Sequence, residues 1–402
     1  MSKLLAMLYV AYCRTFQAVM KLANYALPYR TPQIIAGENS IQQLENLLLS
    51  KGYTSFFLVS DPMIEQLGLA KDLYQTKLQV SSFSDVAPNP TSQNVEDGFA
   101  HYLPIKGAPI VAIGGGSAID CAKAIAAKAV HPHKTVRQLQ GILKVHRKTP
   151  LFIAIPTTAG TGSETTLAAV ITDSNTHHKA SITDPSIMPS VAVLNPKLTL
   201  GLPPHITATT GMDALCHAVE AYTNQTYNTP LENQMAKEAV QLIHQYLYQA
   251  YQHGDDLDAR AKMQRAAFCA GRAFTRGGVG YVHAVGHTLG GLYGVPHGLA
   301  MSIILPHVLR QYGRAVASRL AELAKVCGMQ GESEAALAEN FIAWIEQMKE
   351  QMFIPRGVDM IQDKDVGQII RWAMAEANPL YPTPVVWLKK DFEQLVQTLR
   401  RG

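Results

Sequence analysis

Short apolar runs alternate with longer, helix-like polar stretches from about residue 33 to residue 203. The runs cover residues 55–60, 109–113, 151–155 and 191–194. Because neighbouring positions within each run are apolar, both faces of the corresponding strand would be buried, which is typical of a parallel sheet with helices on either side. The pattern therefore predicts an α/β domain built on a parallel sheet.

The second half of the chain changes to a helical period. Apolar positions recur every three or four residues, without strand-like runs, in segments 231–252, 257–274, 313–326, 334–352, 364–376 and 390–400. This period indicates helices that each bury one face. We therefore expect three parts: a helical extension over residues 1–29, an α/β domain over residues 30–203 and an all-helical domain over residues 204–402.

The extension predicts an amphipathic helix with a narrow polar side. Residues 4–10 are nearly all apolar, and Arg14, Gln17, Lys21 and Asn24 recur at helical spacing. A signal peptide is disfavoured because Arg14 interrupts the apolar run, and a spanning helix would need about 20 apolar residues. Two interpretations stay open: the helix lies on a membrane surface, or it packs against a partner subunit, which we slightly favour.

Composition adds three constraints. Charged residues make up 16% of the 402-residue chain, against about 25% in typical soluble proteins, so we expect subunit contacts and a homo-oligomer. The net charge is only +4 and no basic run occurs, which argues against a nucleic-acid partner. The five cysteines are scattered without a Cys-x-x-Cys pair, which predicts reduced thiols and a cytoplasmic location.

Two loops that follow predicted strands suit a dinucleotide. The first, residues 114–123, reads Gly-Gly-Gly-Ser-Ala-Ile-Asp-Cys-Ala-Lys and leads into an alanine-rich helix. Glycines allow the backbone to approach a pyrophosphate, and the helix N-terminus offers N–H groups to the anion, although such a sequence can also be a simple turn. The second, residues 156–164, reads Pro-Thr-Thr-Ala-Gly-Thr-Gly-Ser-Glu and offers hydroxyls for ribose or phosphate contacts.

Asp61 has two interpretations of equal weight. It directly follows the apolar run that ends at Ser60, where a carboxylate could accept hydrogen bonds from an adenosine ribose and repel a 2′-phosphate. This interpretation favours NAD over NADP. The alternative is a helix N-cap for the segment that begins at Pro62.

Four residues of the second half have the types and spacings of one divalent metal site. Asp213 and His217 are four residues apart, so a helix would present both on one face, and residues 281–298 offer His283, His287 and His297. A carboxylate with imidazoles suits Fe²⁺ or Zn²⁺ better than Mg²⁺ or Ca²⁺. The absence of cysteine from the set favours a catalytic over a structural site. Asp213 with His217 alone, or His283 with His287 alone, would more often be an ordinary surface or core pair.

Taken together, these motifs resemble the iron-containing (group III) alcohol dehydrogenases. The resemblance rests on the loops at residues 114–120 and 156–164, on Gly-Met-Asp-Ala-x-x-His at 211–217, and on the histidine-rich block at 283–298, and it extends from about Arg30 to the C-terminus. It implies an α/β dinucleotide-binding domain, an all-helical C-terminal domain of the dehydroquinate synthase-like type, and an active site in the cleft between them. The extension before Arg30 departs from the family pattern.

The resemblance also implies roles for individual residues. The metal ligands would be Asp213, His217, His283 and His297, and His287 would lie near substrate and nicotinamide without binding the ion. Gly115, Gly116 and Ser117 would hold the pyrophosphate, Thr157 and Thr158 would line the nucleotide, Lys179 would reach the cofactor, and Asp61 would occupy the NAD-selecting position.

The expected function is a metal-dependent alcohol dehydrogenase that transfers hydride reversibly between a primary alcohol or aldehyde and NAD(H). Iron is the expected ion, but the ligand types also admit Zn²⁺. His287 would carry a proton, since imidazole titrates near neutral pH. Three alternatives remain: a polyol or diol dehydrogenase, a hydroxyacid–oxoacid transhydrogenase of the same fold, and a scaffold protein without enzymatic activity.

Overall fold

The computed structural model describes residues 3–174 and 179–401. The chain forms two compact units. One, which we call the sheet unit, comprises Pro28–Leu202 and Asp255–Gly271. The other, the helical unit, comprises Met1–Leu27, Pro203–Gly254 and Arg272–Gly402.

The strands of the described residues all lie in the sheet unit. They are β1 (Gln33–Ala36), β2 (Ser55–Val59), β3 (Gln79–Phe83), β4 (Ile110–Gly114), β5 (Gly141–Ile142), β6 (Phe152–Pro156), β7 (Ala168–Thr172), β8 (Lys179–Thr183) and β9 (Val191–Leu194). Six strands form one sheet in the order β1-β9-β6-β4-β2-β3, and β5, β8 and β7 form a second, small sheet.

Helices make up most of the remaining described structure. They are α1 (Lys3–Ala26), α2 (Ser40–Ser50), α3 (Pro62–Gln66), α4 (Lys71–Tyr74), α5 (Ser92–Tyr102), α6 (Gly116–Val130), α7 (Val136–Leu139), α8 (Pro204–Thr223), α9 (Pro230–Gln252), α10 (Leu257–Gly277), α11 (Tyr281–Tyr293), α12 (His297–Tyr312), α13 (Ala317–Val326), α14 (Glu334–Gln351), α15 (Asp363–Ala377) and α16 (Lys389–Arg401).

The large sheet is parallel throughout, and the four apolar runs form strands β2, β4, β6 and β9, which confirms the predicted sheet. Alternate residues face opposite cores: Phe57 and Val59 pack in one, whereas Phe56 and Leu58 pack in the other. The same alternation in β4 and β6 explains why these strands are apolar at every position. The motif analysis did not delimit β1 and β3, which lie at the two edges and are partly exposed.

A contact between two glycines holds the second loop of the sheet unit. Gly162 has a positive φ of 60° and lies against Gly271 of α10; a Cβ on Gly271 would lie 2.7 Å from the carbonyl oxygen and 2.8 Å from the Cα of Gly162. Only a hydrogen fits between the two backbones. The loop is therefore fixed in place by the absence of side chains at both positions.

The six periodic segments of the second half form helices close to the predicted bounds; five lie in the helical unit, and most of α10 belongs to the sheet unit. For example, the predicted helix 231–252 is Pro230–Gln252, and the predicted 364–376 is Asp363–Ala377. Helix α9 begins with a capping box in which the Thr229 side chain and the Glu232 side chain each bind the other residue's backbone N–H. Local sequence and apolar period therefore agree on these elements.

Helix α1 packs Arg14 and Gln17 of its polar stripe, together with the buried Cys13, against the rest of the helical unit. The Arg14 guanidinium donates to the carbonyl oxygens of Thr383 (2.8 Å) and Pro384 (2.7 Å), and Gln17 Nε2 donates to that of Tyr381 (2.7 Å). Among the described residues, no helix is both long enough and apolar enough to cross a membrane.

Substituting Gly271→Ala is expected to lower the free energy of unfolding by about 1–3 kcal/mol, because the new methyl group overlaps the Gly162 backbone. This loss should exceed the gain in helix propensity of about 1 kcal/mol that alanine brings. Urea unfolding followed by circular dichroism measures the change. Gly201→Ala is the matched control, since no atom lies within 4 Å of the added Cβ. Equal stability of the two variants would contradict the contact.

Candidate metal centre

Helix α8 aligns three polar side chains on one face. Asp213, His217 and Glu220 occupy positions separated by four and three residues, which places them one above the other on a helix. All three are nearly inaccessible to solvent, although their side chains are polar. A row of buried polar groups on one helix face requires partners from neighbouring elements.

Helices α11 and α12 supply these partners. His283 lies in the first turn of α11, which ends at the left-handed Gly294, and His297 begins α12 directly after Pro296. The α12 N-terminus packs tightly on α8, since a Cβ on Gly298 would lie 2.5 Å from the carbonyl oxygen of Thr209. A glycine at this position allows His297 to reach the buried row on α8.

One carboxylate oxygen lies at the centre of the group formed by Asp213, His217, His283 and His297. Asp213 Oδ1 is 3.4 Å from His297 Nε2, 3.9 Å from His217 Nδ1 and 4.0 Å from His283 Nε2. The four ligand-capable atoms all lie within 4.8 Å of one another. Metal–ligand distances of about 2 Å place the ligands of one ion roughly 3–3.5 Å apart, so small movements would allow these four to share an ion.

The donor atoms fit a cation for a second reason. Asp213 Oδ1, His217 Nδ1 and His283 Nε2 are buried and have no hydrogen-bond partner among the described residues. Leaving such an atom unpaired costs about 1–3 kcal/mol. Three unsatisfied lone-pair donors that face one point are consistent with a divalent ion at that point.

Protonation states also favour a cation. Burial lowers the pKa of His217 to about 3 and lowers the pKa of His283 well below its ordinary value, so both imidazoles are neutral near pH 7. Burial alone would raise the pKa of Asp213, but the neighbouring histidines, His217 first, hold it below its usual range. An ionised carboxylate beside neutral imidazoles is the ligand state that divalent metals bind.

Glu220 is a further candidate site residue, which the sequence motifs did not include. Its Oε2 lies 2.5 Å from His283 Nδ1, and its Oε1 accepts from the Val282 N–H at 2.8 Å. A carboxylate on the second ring nitrogen of a ligand histidine fixes the tautomer that points the other nitrogen at a metal. The helical spacing from Asp213 and His217 was the signal that could have identified it.

A second cluster, Cys216 with Glu220 and His283, shares part of the same site. Burial raises the pKa of the Cys216 thiol well above its ordinary value, which keeps the sulfur protonated. The His283 Nδ1 atom on this side already contacts Glu220. Cys216 and Glu220 therefore surround the first group of residues and do not form a separate metal site.

His287 lies beside the group without joining it. Its ring is stacked on His297 with centroids 5.3 Å apart, and its Nδ1 lies 2.7 Å from Glu376 Oε1. The Tyr381 hydroxyl donates to the same Glu376 oxygen at 2.8 Å. The side chain of His287 is 41% exposed, so this imidazole is accessible to solvent.

Asp61 of the sheet unit is the N-cap of α3 and lies beside the glycine-rich loop. Its Oδ1 accepts from the N–H groups of Met63 and Ile64 at 3.0 Å, which caps α3. Its Oδ2 lies beside the first loop, 3.2 Å from the position that a Cβ on Gly114 would take. One oxygen thus serves the helix, and the other faces the glycine-rich loop.

The first loop leaves a helix N-terminus open. Gly115 precedes α6 and provides no side-chain cap, whereas other helices of the chain, such as α5 and α9, are capped. A Cβ on Gly116 would lie 3.1 Å from Thr161 of the second loop. The uncapped N–H groups and the missing side chains suit a bound phosphate.

The remaining predicted nucleotide residues lie in two places. Thr157 is buried and donates its N–H to the Gly114 carbonyl at 3.0 Å, and Thr158 contacts the position of a Cβ on Gly115. Ser117 Oγ donates to the Pro88 carbonyl oxygen, and Lys179 Nζ donates to Asn89 Oδ1 at 2.7 Å. Ser117 and Lys179 therefore contact consecutive residues of one segment.

A buried lysine that the motif analysis left without a role joins the two loops. Lys123 Nζ of α6 donates to Ser163 Oγ (3.0 Å) and Thr166 Oγ1 (2.6 Å), and burial lowers its pKa to about 8. Asp120 Oδ1 accepts from the same Ser163 hydroxyl at 2.6 Å. This network holds the second loop on the helix that follows the first.

Comparison with known proteins identifies the family. The family described as "Iron-containing alcohol dehydrogenase" matches residues 31–196. The family described as "Fe-containing alcohol dehydrogenase family, C-terminal" matches residues 207–399. The NAD-dependent methanol dehydrogenase of Bacillus methanolicus is 36% identical over 384 residues, which are 94% of this chain and 99% of that protein.

Solved structures agree. The crystal structure of a 1,3-propanediol oxidoreductase has a TM-score of 0.87 at 33% identity, and covers 92% of this chain and 99% of that chain. A sulfoacetaldehyde reductase from Bifidobacterium kashiwanohense, in complex with NAD⁺, has a TM-score of 0.83 at 28% identity, with 93% and 98% covered. These findings confirm the predicted fold class and reaction class: the chain belongs to the iron-containing alcohol dehydrogenase family and is an oxidoreductase.

Proposed function

We propose that this protein transfers hydride reversibly between a primary alcohol, or its aldehyde, and NAD(H), with one Fe²⁺ ion held by Asp213, His217, His283 and His297. One observation carries the proposal. The ligand-capable atoms of the four side chains converge around Asp213 Oδ1, and three of these atoms are buried without a hydrogen-bond partner among the described residues.

Each residue of the group has a distinct task. When bound, a divalent ion supplies Lewis acidity, which lowers the pKa of a hydroxyl group at an open coordination position. Asp213 contributes the negative charge that retains a dication, and His217 and His283 contribute neutral imidazoles. The side chain of His297 is 42% exposed, so this side of the group is accessible to a small substrate.

His287 is proposed to hold and move the substrate proton. The exposed ring of His287 lies beside His297, and a hydrogen bond joins its Nδ1 to the Glu376 carboxylate. This contact would orient the other nitrogen, Nε2, and compensate a positive charge on the ring. The proton would then pass from Nε2 to solvent.

The family name and the ligand types support iron as the ion. Carboxylate and imidazole ligands also bind Zn²⁺, whose intrinsic affinity is not lower than that of Fe²⁺. We therefore propose Fe²⁺ and treat Zn²⁺ as the ion to test beside it.

NAD is the proposed cofactor because of Asp61. The Oδ2 atom of this residue faces the glycine-rich loop, where a carboxylate would accept from ribose hydroxyls and repel a 2′-phosphate. Gly115, Gly116 and Ser117 would surround the pyrophosphate at the α6 N-terminus, with Thr157, Thr158 and Lys179 as further nucleotide contacts. The relatives named as NAD-dependent or solved with NAD⁺ support this choice.

The domain division is part of the proposal. The two family matches, 31–196 and 207–399, support a dinucleotide-binding domain over residues 30–203 and a metal-binding domain over residues 204–402. Both matches begin after residues 1–29, which we keep as a separate helical extension. We further propose a homo-oligomer in the cytoplasm, since charged residues are few and all five cysteines are free.

A diol dehydrogenase is the second candidate. The structural similarity to a 1,3-propanediol oxidoreductase favours it specifically. The two candidates share metal and cofactor and differ only in substrate.

The proposal is tested with protein that a chelator has stripped of metal. Nicotinamide absorbance is followed with NAD or NADP and with butan-1-ol, 1,3-propanediol, glycerol or hydroxybutyrate, before and after Fe²⁺ or Zn²⁺ is restored anaerobically. We expect turnover only after metal is restored, faster with NAD and butan-1-ol. Faster turnover of propanediol would favour the second candidate, and no turnover by protein that rebinds metal would refute both.

Glu220→Gln should weaken metal binding by about 10–100-fold while the fold remains intact, because the amide no longer fixes the His283 tautomer. Metal affinity is measured by competition with a chromophoric chelator. Glu322→Gln serves as a control on the same unit, since Glu322 accepts hydrogen bonds from Tyr222 and Lys237 and, among the described residues, from none of the three candidate ligand histidines. Unchanged affinity in Glu220→Gln would rule out the orienting role.

His287→Ala should lower kcat by about 10²-fold without loss of bound metal, because a proton carrier and not a ligand is removed. His283→Ala should lose the metal itself. Steady-state kinetics and elemental analysis are measured on both variants and on His205→Ala, in which an exposed histidine is replaced. Loss of metal from His287→Ala would instead make His287 a ligand.

A further inference from the structure

The outward side of helix α1 is apolar, which is the reverse of an ordinary surface helix. Large side chains on this side are between 56% and 74% exposed: Leu4, Leu8, Tyr12, Val19, Leu22 and Tyr25. Ordinary surface helices direct such residues into the core and charged residues outward. A contiguous exposed apolar surface of this kind marks a site of interaction.

The inward side of α1 explains how this reversal is stable. Arg14 and Gln17 donate hydrogen bonds to the carbonyl oxygens of Pro379, Tyr381, Thr383 and Pro384, and Arg14 also donates to Gln17. Near the end of α1, the Arg276 guanidinium lies 5.0 Å from the ring centroid of Tyr25, which remains 56% exposed. Arg14 and Gln17 of the polar stripe are therefore bound by the chain itself, and the apolar side is held facing outward.

The breadth of the apolar side argues against a single partner helix. A helix in a coiled coil covers a narrow seam whose flanking positions carry charges. On α1, the exposed positions beside the outermost residues are apolar or small as well, including Leu5, Met7 and Ala18. One packed helix would leave these flanks in water, whereas a lipid surface covers the whole side.

The charge of the segment favours lipid of one type. Residues 1–37 contain no Asp or Glu. Lys3 and Lys21 are exposed, whereas Arg14 and Arg30 donate hydrogen bonds to backbone carbonyl oxygens of the chain. Exposed lysines beside an apolar surface attract an anionic lipid headgroup region, and the exposed rings of Tyr12 and Tyr25 suit the boundary between headgroups and acyl chains.

We propose that α1 binds this protein peripherally to an anionic phospholipid bilayer. The helix lies in the plane of the surface with Leu8, Val19 and Leu22 among the acyl chains and with Lys3 and Lys21 at the phosphates. It does not cross the bilayer, in agreement with the lack of a spanning helix among the described residues. This inference does not depend on the proposed reaction.

Flotation of the full chain with vesicles tests the proposal. Wild-type protein should float with vesicles of phosphatidylethanolamine and phosphatidylglycerol and far less with phosphatidylcholine alone. Leu8→Glu/Leu22→Glu should reduce binding about tenfold or more, since it removes apolar surface and adds repelled charges. Lys3→Gln/Lys21→Gln should reduce the preference for anionic vesicles while the apolar side is kept.

Phe353→Glu/Met360→Glu is the matched control. It replaces two exposed apolar residues elsewhere, 86% and 52% exposed, and should float like wild type. Circular dichroism melting establishes that each variant is folded. The proposal is wrong if wild type fails to float, or if folded Leu8→Glu/Leu22→Glu floats equally well. If wild type does not float and light scattering shows that this variant alone loses a subunit, the apolar side of α1 is instead covered by a second copy of the chain.

Discussion

A buried carboxylate enclosed by neutral imidazoles is the constraint on which the helical unit depends. Asp213 is 2% exposed, and the buried ring nitrogens of His217 and His283 that face its Oδ1 have no hydrogen-bond partner among the described residues. An isolated charge in such a place costs several kcal/mol. A divalent cation held by this group would remove that cost and would couple metal binding to the packing of α8, α11 and α12.

The surroundings of this group extend outward through hydrogen bonds. Glu220 orients His283 from inside, and Glu376 orients His287 from outside. Tyr381 donates to Glu376 and accepts, through its carbonyl oxygen, from Gln17 of α1. The N-terminal helix is therefore connected to a histidine of the site through only two intervening residues, although it lies outside both family matches.

The two candidate nucleotide loops of the sheet unit, residues 114–123 and 156–164, are held in place in a different way. The turns of both loops are built mainly from glycine, serine and threonine, which would leave room for the phosphate of a bound nucleotide. Contacts with neighbouring elements hold the loops in place: Lys123 and Asp120 bind Ser163, and Gly162 lies against Gly271. The buried lysine has three acceptors, which compensates its burial and fixes the distance between the loops.

The sequence by itself determined the parallel sheet, the helices of the second half and the four candidate ligands. Short runs that are apolar at every position and alternate with helical segments are typical of strands buried on both faces, and Asp213 and His217 share a face when their segment is helical. Edge strands β1 and β3, which are partly exposed, lacked that signal. Tertiary structure alone decided that Glu220 contacts His283, that Lys123 joins two loops, and that the polar stripe of α1 faces inward. These contacts link residues distant in the chain, and no local period records which side of a helix its neighbours will cover.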